Sequence, residues 1–155
     1  AGRYPGRHDH AGDGKTLKLH HVGYLVKRID AARRAFEALG YEAFSLCGAE
    51  AVCYDASRQC NICFLKLPER TESYLELIEP VSPDSPVWGL MAKYKNAPYH
   101  LCFESTDLSA DIQHLRDSGW AVFQPPAPAP AMDGRSVVFL VHRSAGIVEL
   151  VSARK

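Results

Sequence analysis

Apolar alternation begins at Leu17 and runs to Val26, placing Leu19, His21, Gly23 and Leu25 on one face of a predicted strand and His20 on the other. Directly after it, Ala32, Ala35, Phe36 and Leu39 recur near helical spacing. Asp30 serves as N-cap and Gly40 as stop, which predicts a helix over 31–39. Short strand-like runs follow at 41–46, 51–55, 60–67 and 73–79, parted by polar turns such as Pro68-Glu69-Arg70. Asp84-Ser85-Pro86 then supplies a cap and a first-turn proline for a linking helix at about 86–95. The pattern restarts beyond it, with a strand at 98–104, a helix at 109–118 carrying Ile112 and Leu115 inward, and strands at 120–123, 136–141 and 145–152. Gln124 to Pro130 reads as an extended, semi-rigid loop, because proline donates no ladder hydrogen bond.

The restart is a repeat. Shifting the segment from His21 by 79 positions lays it without a gap on the segment from His100. His21 meets His100, Tyr24 meets Phe103, Phe36 meets Leu115, Gly40 meets Gly119, and Phe44 meets Phe123. Further on, Leu75-Glu76-Leu77 echoes Val148-Glu149-Leu150, so each half opens on a histidine and closes on a glutamate inside an apolar strand. The expected fold is α+β: two paired βαβββ modules packed into one curved, mostly antiparallel sheet, a cup, with helices outside. Module one spans about 17–80 and module two about 98–152, within a single domain of 17–152. Residues 1–16, rich in glycine and poor in apolar side chains, read as a flexible lead-in, and the His8-Asp9-His10 triplet there as a solvated tail.

Composition narrows the function. Lysine plus arginine equal aspartate plus glutamate at 18 each and the signs are interspersed, so neither a nucleic-acid surface nor an acidic tail is present in the pattern. No run reaches the ~20 apolar residues of a membrane span, and the start lacks the apolar core of a signal peptide, so a cytoplasmic protein is expected. Five cysteines form an odd set, which favours free thiols. Cys60 and Cys63 have the spacing of a metal or redox pair but lie on a strand, where they point to opposite faces.

Two histidines and two glutamates at repeated places predict one metal site. Glu76 shares strand parity with Tyr74 and Ile78, and Glu149 with Ile147 and Val151, so both carboxylates face the cup and need compensation when buried. Two neutral imidazoles and two carboxylates balance a divalent ion and leave a position open for water or substrate. Taken singly, a strand histidine is more often a hydrogen-bonded core residue and a strand glutamate a solvated one. Recurrence in both halves favours the metal. Tyr54, Tyr74, Trp88, Phe103 and Phe139 are read as core residues.

On these residues the chain resembles the vicinal oxygen chelate superfamily over about 17–152. Within it, His21-Val22-Gly23, Glu76-Leu77-Ile78-Glu79-Pro80, Asp84-Ser85-Pro86, His100 before an apolar strand, and Val148-Glu149-Leu150 most resemble the methylmalonyl-CoA epimerases. That resemblance implies metal ligands at His21, Glu76, His100 and Glu149, a divalent ion (Co, Ni, Zn, Mn or Fe), and Glu149 as catalytic base. It also implies proton abstraction alpha to a thioester through a metal-stabilised enolate, an acyl-CoA or other small thioester as substrate, and a homodimer. The family's second base would stand on the strand of Cys60 to Leu65, near Asn61 and Cys63, where this chain has no carboxylate. The competing readings are a glyoxalase I-like lyase acting on a hemithioacetal and a metal-free small-molecule binding or resistance protein on the same fold. An extradiol dioxygenase would need only three ligands, and Glu76 makes a fourth.

Overall fold

The computed structural model describes residues 17–48, 50–69 and 73–155. The lead-in and its His8-Asp9-His10 triplet therefore lie outside the described residues. The elements run β1 (Lys18–Leu25), α1 (Ile29–Glu37), β2 (Glu42–Phe44), β3 (Val52–Asp55), β4 (Cys60–Lys66), β5 (Tyr74–Pro80), α2 (Trp88–Tyr94), β6 (Ala97–Ser105), α3 (Leu108–Asp117), β7 (Ala121–Ala129), β8 (Arg135–His142) and β9 (Gly146–Ser152). One turn of 3-10 helix, Pro130–Met132, joins β7 to β8. Among the described residues, no helix is long and apolar enough to cross a membrane.

All strands belong to one curved nine-stranded sheet in the order β2-β4-β5-β1-β6-β9-β8-β7, with β3 also on β4. The two first strands, β1 and β6, meet antiparallel at its centre, and each takes the last strand of its own half, β5 or β9, as a parallel neighbour. Strand alternation then sorts side chains between two faces. Leu25, Ile62, Phe64, Ile78, Val137, Phe139 and Val151 share the concave cluster. Cys63, Leu65 and Leu77 pack outward with Phe36 of α1, while Leu140, Val148 and Leu150 do so with Ile112 and Leu115 of α3. Each helix thus covers the back of its own half, as the expected α+β cup requires.

The strands expected at 41–46 and 51–55 form as β2 and β3, both paired with β4, whereas in the second half β7 alone spans β8. Three local expectations are corrected. The 124–130 segment is not a loop: β7 continues through Pro128 to Ala129 on β8, because it is the last strand of the sheet and carries two register shifts that accommodate prolines. Helix α1 starts at Ile29 and is not capped by Asp30. Its first amide donates to Glu79 Oε2 on β5 at 2.7 Å, so a carboxylate distant in sequence does the capping. Ser85 does not cap α2 either; it is buried, with Oγ 3.2 Å from the Cys60 thiol.

Candidate metal centre

Strand parity brings His21 (β1), Glu76 (β5), His100 (β6) and Glu149 (β9) to the floor of the cup, as their sequence positions predict. None is more than 4 % exposed. His21 Nε2 lies 2.9 Å from Glu76 Oε2 and 3.3 Å from Glu149 Oε2; His100 Nε2 lies 3.4 and 2.9 Å from the same two oxygens. The two imidazole nitrogens are 3.1 Å apart. Ligands held ~2.0–2.2 Å from one ion stand ~2.8–3.6 Å from each other when the angle lies between a right angle and a tetrahedral one. All these edges fall in that interval. Glu149 Oε2, although close to both rings, accepts no well-aligned hydrogen bond. Four inward donor atoms with an unsatisfied carboxylate oxygen among them fit a divalent cation better than an internal ion pair.

The electrostatics agree in direction. Burial alone would raise the Glu76 carboxyl, but the charge on His21 and contacts from both rings outweigh it and hold Glu76 below the usual carboxylate range. Glu149 is likewise held down against burial by His100 and His21. Burial would lower the imidazoles; Cys102 and Glu76 hold His21 well above its ordinary value, and Glu149 and Glu76 raise His100. The pocket therefore stabilises positive charge at its centre, which a metal ion supplies without protonating either ring.

Residues that sequence alternation did not place complete the surroundings. A register shift between Leu19 and His21 makes His20 an extra residue in β1, and a second shift opposite Gly23 and Tyr24 does the same for Tyr99 in β6. Both bulge residues directly precede a histidine of the quartet. His20 therefore does not point away: its Nδ1 is 2.8 Å from His21 Nδ1, and its ring meets Tyr74 and Phe64 edge-on. Burial and the neighbouring His21 bring its pKa down to about 4, which keeps it neutral. Gly23 lies opposite His100, and a Cβ there would come within 2.0 Å of the ring. The corresponding place opposite His21 is filled by Cys102, fully buried, with a thiol that burial pushes up to about 12. Phe64 and Phe139 stand edge-on to His21 and His100, each with centroids 5.3 Å away.

On β4 the structure replaces both expected neighbours of the second base. Asn61 donates to Glu79 Oε1 at 2.8 Å and Cys63 lies in the outer core, while Cys60 faces the cup. Alternation from Phe64 through Ile62 to Cys60 was the signal. A cavity of about 30 Å³ adjoins Glu76 and Glu149 and is also lined by Arg58, Cys60, Tyr99 and Gln124. It has room for about one water. Val87 at the start of α2 and Leu90 within it, with Ala131 and Met132 of the 3-10 turn, line the same space. Of the aromatics, Tyr74 and Phe139 pack on the concave side and Phe103 on the outer side, while Tyr54 and Trp88 are exposed, contrary to their core reading.

Residues 17–139 match the model of the Glyoxalase/Bleomycin resistance protein/Dioxygenase superfamily. The ethylmalonyl-CoA/methylmalonyl-CoA epimerase of Cereibacter sphaeroides is 27% identical over 125 residues, 79% of this chain and 87% of that protein. A variant of Streptomyces coelicolor methylmalonyl-CoA epimerase, solved with 2-nitronate-propionyl-CoA, superposes with a TM-score of 0.73 at 27% identity, covering 89% of this chain and 96% of that one. Methylmalonyl-CoA epimerase from Mycobacterium tuberculosis shares the fold with a TM-score of 0.74 at 20% identity, over 89% of each chain.

Proposed function

The chain belongs to the Glyoxalase/Bleomycin resistance protein/Dioxygenase superfamily, and on that premise we propose that it is an epimerase of small acyl-CoA thioesters, of the methylmalonyl-CoA type, working with a divalent cation. The observation that carries the reading is the buried quartet of His21, Glu76, His100 and Glu149, with donor atoms 2.9 to 3.4 Å apart across its histidine–glutamate pairs. The similar proteins that act on or were solved with acyl-CoA compounds support the substrate class.

A cation held by these four residues would supply Lewis-acid polarisation of the thioester carbonyl, which acidifies the carbon beside it. Glu149 is the proposed base. Its carboxylate lines the cavity and its ionised form is favoured, so it is equipped to take the α-proton. Epimerisation returns a proton to the opposite face of the carbon. Tyr99 and Cys60 line the same cavity and carry protons: burial, then the charges of Glu76 and Glu149, hold the Tyr99 hydroxyl protonated, and burial does the same for the Cys60 thiol. Ile62, Ile78 and Phe139 give that cavity an otherwise apolar lining.

Elemental analysis of the purified protein is expected to give about one divalent ion per chain, as a single four-ligand site implies. In deuterium oxide the protein should exchange the α-proton of methylmalonyl-CoA, and Glu149→Gln should slow exchange by ~100-fold or more. Turnover of a hemithioacetal without exchange into the thioester would replace this reading by the glyoxalase type. A metal-free wild type that holds an organic ligand would replace it by a sequestering protein. A cytoplasmic homodimer belongs to the same proposal, and light scattering tests the dimer.

A further inference from the structure

At the end of the sheet where β1 begins, a cleft of about 320 Å³ opens, and no residue lines both this cleft and the small cavity beside the carboxylates. Its polar wall carries three cations, Lys18, Arg135 and Arg154, against one carboxylate, Glu104. That carboxylate is already engaged. Its Oε2 is 2.6 Å from Arg135 Nη2, and the same guanidinium, only 9 % exposed, donates through Nε to the Ser152 carbonyl at 2.6 Å. Arg135 is thus fixed in place, while the other two cations have no carboxylate partner among the described residues. Among the described residues, Arg154 donates to the Leu46 carbonyl, at 3.2 Å.

His20 adds an imidazole to the lining. His20 Nδ1 is 2.8 Å from His21 Nδ1, so one ring nitrogen of His20 is engaged and Nε2 is the other. Leu19, Leu46 and Tyr74 add apolar and aromatic lining. The volume lies at the low end of small-molecule pockets, ~300–1,000 Å³. The Arg154 guanidinium and the Lys18 ammonium, beside the fixed positive charge of Arg135, match the oxygens of a phosphate group, and the apolar lining suits an organic body attached to it.

We propose that this cleft is a binding site for a small organic phosphate, with Lys18 and Arg154 as its exposed cations, Arg135 as its fixed one and the His20 imidazole in its lining. The phosphate is either borne by the acyl-CoA of the proposed reaction, in which case the site deepens that reading, or by a separate molecule that binds alongside it.

Isothermal titration of the metal-loaded protein with adenosine 3′,5′-bisphosphate and with inorganic phosphate tests the site without turnover, so its outcome does not depend on the epimerase assignment. Saturable binding of the bisphosphate is expected, with inorganic phosphate weaker. The Lys18→Ala/Arg154→Ala double variant, both side chains being exposed, should weaken the bisphosphate by about 10-fold or more at unchanged metal content, the worth of one or two charge-assisted hydrogen bonds. A parallel rise in KM for methylmalonyl-CoA at constant kcat assigns the phosphate to the substrate; an unchanged KM assigns it to a separate ligand. Absence of bisphosphate binding to the wild type, or equal binding to the double variant, overturns the proposal. Arg154→Glu provides a second variant, expected to weaken binding further.

Discussion

The two halves of the cup bring the same pair of donor side chains to a common centre and hold them by different means. His21 is backed by His20, whose Nδ1 is 2.8 Å from its own, and by the thiol of Cys102 opposite. His100 has neither. Its Nδ1 finds no hydrogen-bond partner among the described groups, and its ring lies over the bare backbone of Gly23. What the halves share is the inner layer of donors with an edge-on phenylalanine behind each ring. A donor displaced by an ångström no longer coordinates, so both halves must agree on donor position, whereas a ring can be restrained equally by a hydrogen bond or by tight packing. The helices differ in the same way: α3 is capped by its own Asp107, through Ala110 N at 3.1 Å, and α1 by Glu79 from β5.

The sharpest way to break this comparison is Gly23→Ala. Its Cβ would meet three atoms of the His100 ring at 2.0 to 2.5 Å, so the ring must leave the quartet. Metal affinity, measured against a competing chelator, should fall by more than ~100-fold, with ~1–3 kcal/mol of stability lost to overpacking. Cys102→Ala, at the equivalent place in the other half, should leave affinity within about 3-fold, since ~0.6 kcal/mol is all that such a change represents. Next in size, His20→Ala should weaken metal binding ~10–100-fold by releasing the back of His21, and the visible spectrum of the cobalt form should shift. Tyr99→Phe, its counterpart, should alter neither. Equal effects from His20→Ala and Tyr99→Phe would mean that the halves do not differ in how they hold their rings. Smallest are the caps. Asp107→Ala should cost ~1 kcal/mol in urea denaturation, and Glu79→Ala somewhat more, ~1–2 kcal/mol, because Glu79 also holds the Asn61 amide.

The quartet was legible because strand alternation and recurrence act on single residues in fixed registers. Tyr74, Glu76 and Ile78 share a face in β5 whatever surrounds them, as do Ile147, Glu149 and Val151 in β9. The layer behind was not legible. Alternation turned His20 away from the cup, and a bulge reversed that, since one extra residue against the partner strand rotates a side chain without leaving a mark in the sequence pattern. Prolines in 124–130 spelled a loop, yet on the last strand of a sheet a missing amide costs little. Asp30 has the right chemistry for a cap, but Glu79 reaches the helix start first.

By itself, then, the sequence determined the repeat, the α+β order of elements and the identity of the four inward donors, because these follow from side-chain chemistry and from periods of two and 3.6 residues along one chain. Only the tertiary structure decided what stands behind each histidine, that Cys60 and not Cys63 faces the cavity, and that three cations gather at one end of the sheet. Those arrangements depend on register between strands distant in the chain, and register is set by the packing of the whole sheet.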